Sequence, residues 1–212
     1  MKIILPEGEP WLKAGDKLVC FGDSLTAGED SYTTVLQRRL GEKGIEVINS
    51  GRGGDKTPWA LTRLFQDVID LKPTAVSIFL GTNDLAIGRS IWADEPMVQP
   101  GTFKDNLMWI VHLCRLYGKI EKFSIATPLI KQEGKAFDAY GFAGLEYARA
   151  AREAADAAGA LTVPLDSVFF NAWLDRRNEA IDGLVLTKDG THCTPEGYAK
   201  IAETMMATWN LL

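Results

Sequence analysis

Three residue types in the chain match what an activated serine nucleophile requires. Ser24 lies in the stretch Gly-Asp-Ser-Leu, directly after an apolar run. A serine hydroxyl is a poor nucleophile unless a neighbouring base accepts its proton. His192 follows Asp189 with an Asp-x-x-His spacing, so that one loop can hold the carboxylate against the imidazole and fix its tautomer. These residues predict acyl transfer, with Ser24 as nucleophile, His192 as base and Asp189 as the residue that orients the base.

Acyl transfer also requires donors that face the carbonyl oxygen, where negative charge develops. The backbone N–H groups of Ser24 and Gly54 and the side-chain amide of Asn83 are the candidates for this oxyanion hole. A glycine at position 54 lets the backbone approach a substrate closely. Gly53, which precedes it, is a rival for the same role.

Each of these residues also has a structural interpretation. Ser24 could begin a helix or a turn, and Asp189 could cap a loop. Asp23 and Asp84 are typical of residues that hold loops through local hydrogen bonds, and Asp23 is also a candidate substrate contact. His112 lies in the apolar helical stretch WIVHLCRL, which predicts a packed or partly exposed helix residue rather than a base.

The elements that must position these residues alternate along the chain. Short apolar runs predict five strands, at 17–22, 45–49, 75–81, 120–126 and 160–166. Helical patterns lie between them, at 31–43, 57–70, 102–118, 141–158 and 194–209. The alternation predicts the α/β class, with a three-layer α/β/α, doubly wound, flavodoxin-like sheet of about five parallel strands. Ligands bind at the carboxyl ends of such strands, where the polar clusters fall.

Length and composition limit the number of domains and the classes of ligand that the protein could bind. The 212 residues suit a single domain over 1–212, with 1–16 as an N-terminal arm. A net charge of −5 without a basic patch argues against nucleic-acid binding. Three scattered cysteines argue against a disulfide framework or a zinc site. Acyl transfer by a serine and a histidine requires no metal and no organic cofactor, so we expect neither. The chain as given lacks a signal-peptide pattern or a span of roughly 20 apolar residues, which predicts a cytoplasmic protein with no membrane partner.

Four sequence blocks, FGDSLT, NSGRGGDKT, GTND and DGTH, resemble in order the signature blocks of the SGNH (GDSL-type) hydrolase family. The resemblance covers roughly residues 17–211. It implies an ester hydrolase that works through an acyl-enzyme, with Ser24, Asp189 and His192 as the triad and Ser24, Gly54 and Asn83 as the oxyanion hole. The flanking residues resemble most the bacterial carbohydrate acetylesterases, such as acetylxylan esterases, which implies short acyl esters as substrates.

Three alternatives remain open at this point. The family resemblance also allows an acyl thioesterase or a lysophospholipase. A non-catalytic, flavodoxin-like module that binds a ligand is the alternative of another class. A small-molecule ester, with an acetylated carbohydrate as one candidate, is the expected partner, and a homo-oligomer is also open.

Two loops could contribute substrate contacts. The stretch 85–101 has no clear periodicity, and its Trp92 and Met97 are candidates to line an acyl or sugar pocket. They could equally plug a surface groove or contact another subunit. The stretch 127–140 is a second candidate loop. Separately, Cys193 lies next to His192, so its thiol could be more reactive than those of the other two cysteines.

Overall fold

The computed structural model describes residues 8–86 and 94–212 of the chain. Its five strands are β1 Lys17–Gly22, β2 Glu46–Gly51, β3 Ala75–Phe79, β4 Lys122–Ala126 and β5 Leu161–Val163. They form one sheet in the order β2-β1-β3-β4-β5, and every neighbouring pair is parallel. This is the flavodoxin-like strand order, so the predicted fold class is confirmed.

The helices lie on both sides of this sheet. In chain order they are α1 Ser24–Ala27, α2 Tyr32–Gly41, α3 Thr57–Thr62, α4 Leu64–Asp67, α5 Pro100–Gly118, α6 Gly134–Tyr140, α7 Ala143–Ala158, α8 Leu165–Arg176 and α9 Pro195–Thr208. No helix within the described ranges is both long and apolar enough to span a bilayer.

Alternation along β1 divides the core into two clusters. Leu18 and Cys20 belong to the cluster that includes buried residues of α2 and α9. Val19 and Phe21 point to the opposite face and pack with residues of α3, α5 and α7. Because both faces of the central strand are covered, its sequence is continuously apolar rather than alternating. The polar residues Asp23, Asn83 and Asp84 follow the ends of β1 and β3.

The predicted helix over 57–70 is wrong as a single element. The backbone leaves the helical region at Arg63 and again at Val68, and a single 3-10 turn follows at Ile69–Leu71. The apolar periodicity continues through these breaks, so it gave no sign of them. The break at Arg63 accompanies an inward-facing guanidinium, whose partners are described below.

Strand β5 and the stretch 127–140 also differ from the sequence prediction. Strand β5 ends at Val163 rather than at 166, because Pro164 lacks an N–H for the ladder and α8 begins at Leu165. The predicted loop 127–140 contains α6, Gly134–Tyr140.

The described part of the N-terminal arm packs on the chain itself. Trp11 is buried, and its ring centroid lies 5.2 Å from that of Trp209. The backbone N–H of Trp11 donates to the Trp209 carbonyl.

Candidate active site

The end of β1 presents Ser24 at the rim of the sheet. Gly22 has no room for a side chain, because a Cβ there would lie 2.1 Å from Thr26 Oγ1 and 2.6 Å from the Phe79 carbonyl oxygen. Asp23 then caps the short helix α1, since its Oδ1 accepts a hydrogen bond from the Leu25 N–H at 2.9 Å. Ser24 therefore lies at a sharp turn from strand to helix. Its partly exposed side chain lies at the carboxyl-terminal rim of the sheet.

The structure brings the three predicted triad residues into one hydrogen-bonded chain. Ser24 Oγ lies 3.1 Å from His192 Nε2, and His192 Nδ1 lies 2.8 Å from Asp189 Oδ2. Burial alone would raise the pKa of Asp189. Hydrogen bonds from the side chain and backbone of His192 outweigh it, so the pKa of this carboxyl is below its ordinary value. An ionised Asp189 accepts the Nδ1–H, which leaves Nε2 as the acceptor that faces Ser24.

Local backbone bonds shape the loop that carries His192. Asp189 Oδ1 accepts from the N–H groups of both Thr191 and His192, at 2.9 and 2.7 Å. The Lys188 N–H donates to the His192 carbonyl at 2.7 Å and closes the loop. Gly190, at its tip, has φ +83, and a Cβ there would lie 2.4 Å from the Glu133 carbonyl oxygen. The loop can adopt this shape only with glycine at position 190.

Glu133 fastens the stem of the same loop. Its buried carboxylate accepts hydrogen bonds from the backbone N–H groups of Val185, Leu186 and Thr187, and from the Thr187 hydroxyl at 2.6 Å. One carboxylate thus satisfies four donors just before Asp189. Glu133 could not be predicted from the sequence, because nothing local in the stretch 127–140 links it to a segment more than 50 residues later.

The predicted oxyanion donors lie around one cavity of about 310 Å³. Ser24, Gly54, Asn83 and His192 all line it. Gly54 has φ +81, which favours glycine, whereas a Cβ on Gly53 would have no described atom within 4 Å. The structure therefore favours Gly54 over Gly53 as the position that requires glycine.

Asn83 is fixed by the loop that carries Gly54. The side chain is buried, and its Nδ2 donates to the Asp55 carbonyl at 3.0 Å. An amide nitrogen carries two N–H groups, so this bond orients the second one. The next residue, Asp84, is also buried and accepts from the backbone N–H and hydroxyl of Thr57, which ties the β3 end to the start of α3.

A buried arginine, Arg63, connects the end of β1 to the loop that carries Gly54. Arg63 Nη2 donates to the Gly22 carbonyl at 2.9 Å, and its Nε donates to Asp55 Oδ2 at 2.5 Å. Its Nη1 reaches the Ser50 carbonyl and Asp67 Oδ2, at 3.1 and 3.0 Å. The guanidinium therefore ties the strand end before Ser24 to the loop that positions Gly54 and Asn83. No pattern in the sequence indicates this role, since Arg63 is one polar residue within an amphipathic helical pattern.

Lys131 is a second unpredicted residue at the cavity wall. Its side chain is buried, and its Nζ donates to the Thr191 hydroxyl at 2.9 Å, beside His192. The Tyr140 ring centroid lies 5.3 Å from the ammonium. Burial lowers the pKa of Lys131 to about 8, although Asp23 and Asp189 raise it. This places a cationic donor within the same cavity as Ser24.

The predicted substrate contacts Asp23, Trp92 and Met97 are not among the described residues that line the cavity. Asp23 does not line the cavity, because it is fully buried as the cap of α1, and burial raises its pKa to about 7. Met97 is half-buried and lies outside the set of described residues that line the cavity. Trp92 lies outside the described residues.

Neither His112 nor Cys193 contributes a side chain to the hydrogen-bonded triad. His112 is exposed on α5, beside Trp109, as expected for a helix residue without a catalytic role. Cys193 is fully buried, and burial raises the pKa of its thiol to about 12, so it packs as a small apolar residue.

Among the residues at 8–86 and 94–212, His, Cys, Asp and Glu side chains form no group of three that could hold a metal ion.

Comparison with known proteins places this arrangement in a family. A curated relative, an uncharacterized lipoprotein, YqeF, of Bacillus subtilis, is 32% identical over 129 residues, which are 57% of this chain and 52% of the relative. The acetylxylan esterase of Geobacillus stearothermophilus is 34% identical over 90 residues, which are 34% of this chain and 41% of that protein. The matches thus span about half, or less, of these relatives' lengths.

The fold comparison covers more of both chains. The crystal structure of an acetyl xylan esterase, AlAXEase, superimposes with a TM-score of 0.79 and 25% identity, over 90% of this chain and 98% of that one. The model of the GDSL-like lipase/acylhydrolase family matches residues 20–200, which include Ser24, Gly54, Asn83 and His192. The chain belongs to the GDSL-like lipase/acylhydrolase family.

Proposed function

We propose that the protein is a carboxylic ester hydrolase that works through an acyl-enzyme on Ser24. The observation that carries the proposal is the distance of 3.1 Å between Ser24 Oγ and His192 Nε2, at the wall of a cavity that the oxyanion donors also line. A hydroxyl bonded to a base, with the base oriented by a third group, is the arrangement of an activated nucleophile.

In the proposed first step, Ser24 Oγ attacks the ester carbonyl carbon while His192 Nε2 takes its proton. Asp189 stabilises the imidazolium that forms. The N–H groups of Ser24 and Gly54 and the Asn83 amide then face the oxygen of the tetrahedral intermediate. When the intermediate collapses, the C–O bond to the alcohol breaks, and the alcohol leaves with the proton from His192.

Water completes the proposed cycle. His192 accepts a proton from a water molecule that attacks the acyl-enzyme, and the same donors hold the second oxyanion. Collapse returns the proton to Ser24 and releases the carboxylic acid. Every proton transfer in this cycle uses a side chain of the protein.

We propose short acyl esters of carbohydrates, acetyl esters first, as the substrates. Two features support this choice. The cavity beside Ser24 is small, about 310 Å³, and its wall carries the polar groups of Lys131 and Thr191. An acetylxylan esterase is also among the relatives by sequence and by structure.

A kinetic series tests the proposal. Wild-type protein and Ser24→Ala are compared on 4-nitrophenyl esters of increasing acyl length, on acetylated xylo-oligosaccharides and on an acyl-CoA. We expect the wild type to prefer acetyl esters and Ser24→Ala to lose several orders of magnitude in kcat. Equal turnover by the two proteins would contradict the mechanism. A preference for acyl-CoA or for long chains would contradict the proposed substrate.

A further inference from the structure

A second cavity lies against the outer side of the catalytic loop. It has a volume of about 700 Å³ and is bordered by α6, by α8 and by the segment 182–189. Asp189 lines both this cavity and the one that contains Ser24, so the two adjoin at the catalytic loop. We call the larger one the flanking cavity. The proposed mechanism makes no use of it.

Two aromatic rings contribute to its walls. Phe137, on α6, is 37% exposed and contacts Phe142 edge-on, with 5.2 Å between ring centroids. Trp173, on α8, is half-buried and stacks on Phe170, with 5.8 Å between ring centroids and 30° between ring planes. Both rings are therefore held in place by a neighbouring ring. Rings fixed in this way can contact a ligand without losing much side-chain entropy on binding.

The charges around the flanking cavity are mixed. Lys135 and Lys188 supply two cations, while Asp138, Asp182 and Asp189 supply three carboxylates. A site for a phosphate or a polyanion would need an excess of positive groups, which this wall does not have. Charged donors and acceptors of both signs suit a neutral ligand that carries many hydroxyl groups.

A buried amide adds a further hydrogen-bonding group. Gln132 lines the flanking cavity and is 4% exposed, and its Oε1 accepts no hydrogen bond from any described residue. Buried polar atoms without a partner are uncommon in native structures and call for an explanation. Rotation of the Gln132 side chain toward the cavity would let Oε1 accept a hydrogen bond from a ligand hydroxyl.

We propose that the flanking cavity binds the sugar units adjacent to the acetylated residue of an oligosaccharide. The proposal rests on the proposed function and adds the place where the rest of the carbohydrate lies. Apolar faces of pyranose rings would contact Phe137 and Trp173. The sugar hydroxyl groups would bond to the charged side chains of the wall and, once its amide turns toward the cavity, to Gln132. The volume is within the range of roughly 300–1,000 Å³ that is typical of small-ligand sites.

The test compares two substrates in each variant. For wild type, Trp173→Ala and Phe137→Ala, kcat/KM is measured on acetylated xylotetraose and on 4-nitrophenyl acetate. The ratio of the two values should fall by about tenfold or more in Trp173→Ala, as expected when a buried aromatic contact is lost. Trp109→Ala, which removes an exposed ring at a separate cavity on α5, is the matched control and should keep the wild-type ratio.

A general folding defect lowers both values together and leaves the ratio unchanged. Wild-type ratios in both Trp173→Ala and Phe137→Ala would overturn the proposal. Calorimetry with unsubstituted xylotetraose makes the test independent of the chemistry. We expect the wild type to bind it about tenfold more tightly than Trp173→Ala does. Absence of binding to wild type would overturn this proposal, whereas failure of the wild type to cleave 4-nitrophenyl acetate would instead contradict the proposed function.

Discussion

Replacing Arg63 by methionine removes the cation that links the loops beneath the site. The guanidinium is almost fully buried, with 4% of its side chain exposed, and it pairs with Asp55, of which 3% of the side chain is exposed. It also lies 4.4 Å from the centroid of the Phe21 ring. Methionine fills much of the same space without the charge, so the main effect is electrostatic.

The expected loss of stability follows from the Asp55 carboxylate, which loses its partner in the buried ion pair. Burial already raises the pKa of Asp55, and Arg63 opposes that effect. Without Arg63 the Asp55 carboxyl must either stay charged without its paired cation or take up a proton. Breaking a buried pair by removing one partner costs about 3–5 kcal/mol of stability. For a chain of this size that corresponds to a fall in Tm of about 6–20 °C.

Arg52→Met is the matched control, because Arg52 shares the acceptor Asp67 with Arg63 but is exposed at the surface. Such exposed pairs contribute about 0–1 kcal/mol, so its Tm should stay near the wild-type value. Urea unfolding and thermal melting of the three proteins measure both changes. If Arg63→Met loses no more stability than Arg52→Met, the hydrogen bonds of Arg63 do not hold the loops together.

Three further changes probe the site and its support. Asn83→Ala should lower kcat on an aryl acetate by about 10²–10³, typical of one oxyanion donor, and a negligible loss would mean that the amide points elsewhere. Glu133→Gln replaces one of the two acceptor oxygens by an NH2 group, which cannot accept the hydrogen bonds that the loop stem donates. It should cost about 1–3 kcal/mol in urea unfolding, and wild-type stability would show that the carboxylate is dispensable. Asp23→Asn should stabilise the protein in a pH-dependent way. Burial raises the pKa of Asp23 from 3.8 to about 7, so the folded chain retains a proton that the unfolded chain releases between these values. The contribution of Asp23 to the stability of the wild type therefore falls as the pH rises from about 4 to about 7. The Tm advantage of Asp23→Asn should grow over that interval and then level off. An advantage independent of pH would refute the assignment.

Local signals in the sequence were enough to predict the sheet and the residues at its rim. Continuous apolar runs mark strands that are covered on both faces, and β1 is the clearest example. Ser24, Asn83 and His192 each follow such a run or precede a capped helix, where parallel strands gather polar groups. The topology then brings these distant positions together at the junction of β1 and β3, where the strand order reverses.

The residues that support the site could not be predicted in the same way. Glu133 and Lys131 act on partners more than 50 residues away, and their own stretch has no periodicity that marks them as buried. Arg63 looks like a solvent-facing helix residue, yet its inward side chain coincides with the break between α3 and α4. Buried charges of this kind depend on tertiary partners, which a linear pattern does not encode.

The central claim is that Ser24 Oγ is a nucleophile activated by His192. Mass spectrometry of peptides after reaction with a fluorophosphonate probe tests it most directly. We expect one adduct per chain on the peptide that contains Ser24, and a large drop in labelling rate for His192→Ala. Labelling at another residue, or ester hydrolysis that survives without any adduct on Ser24, would contradict the claim.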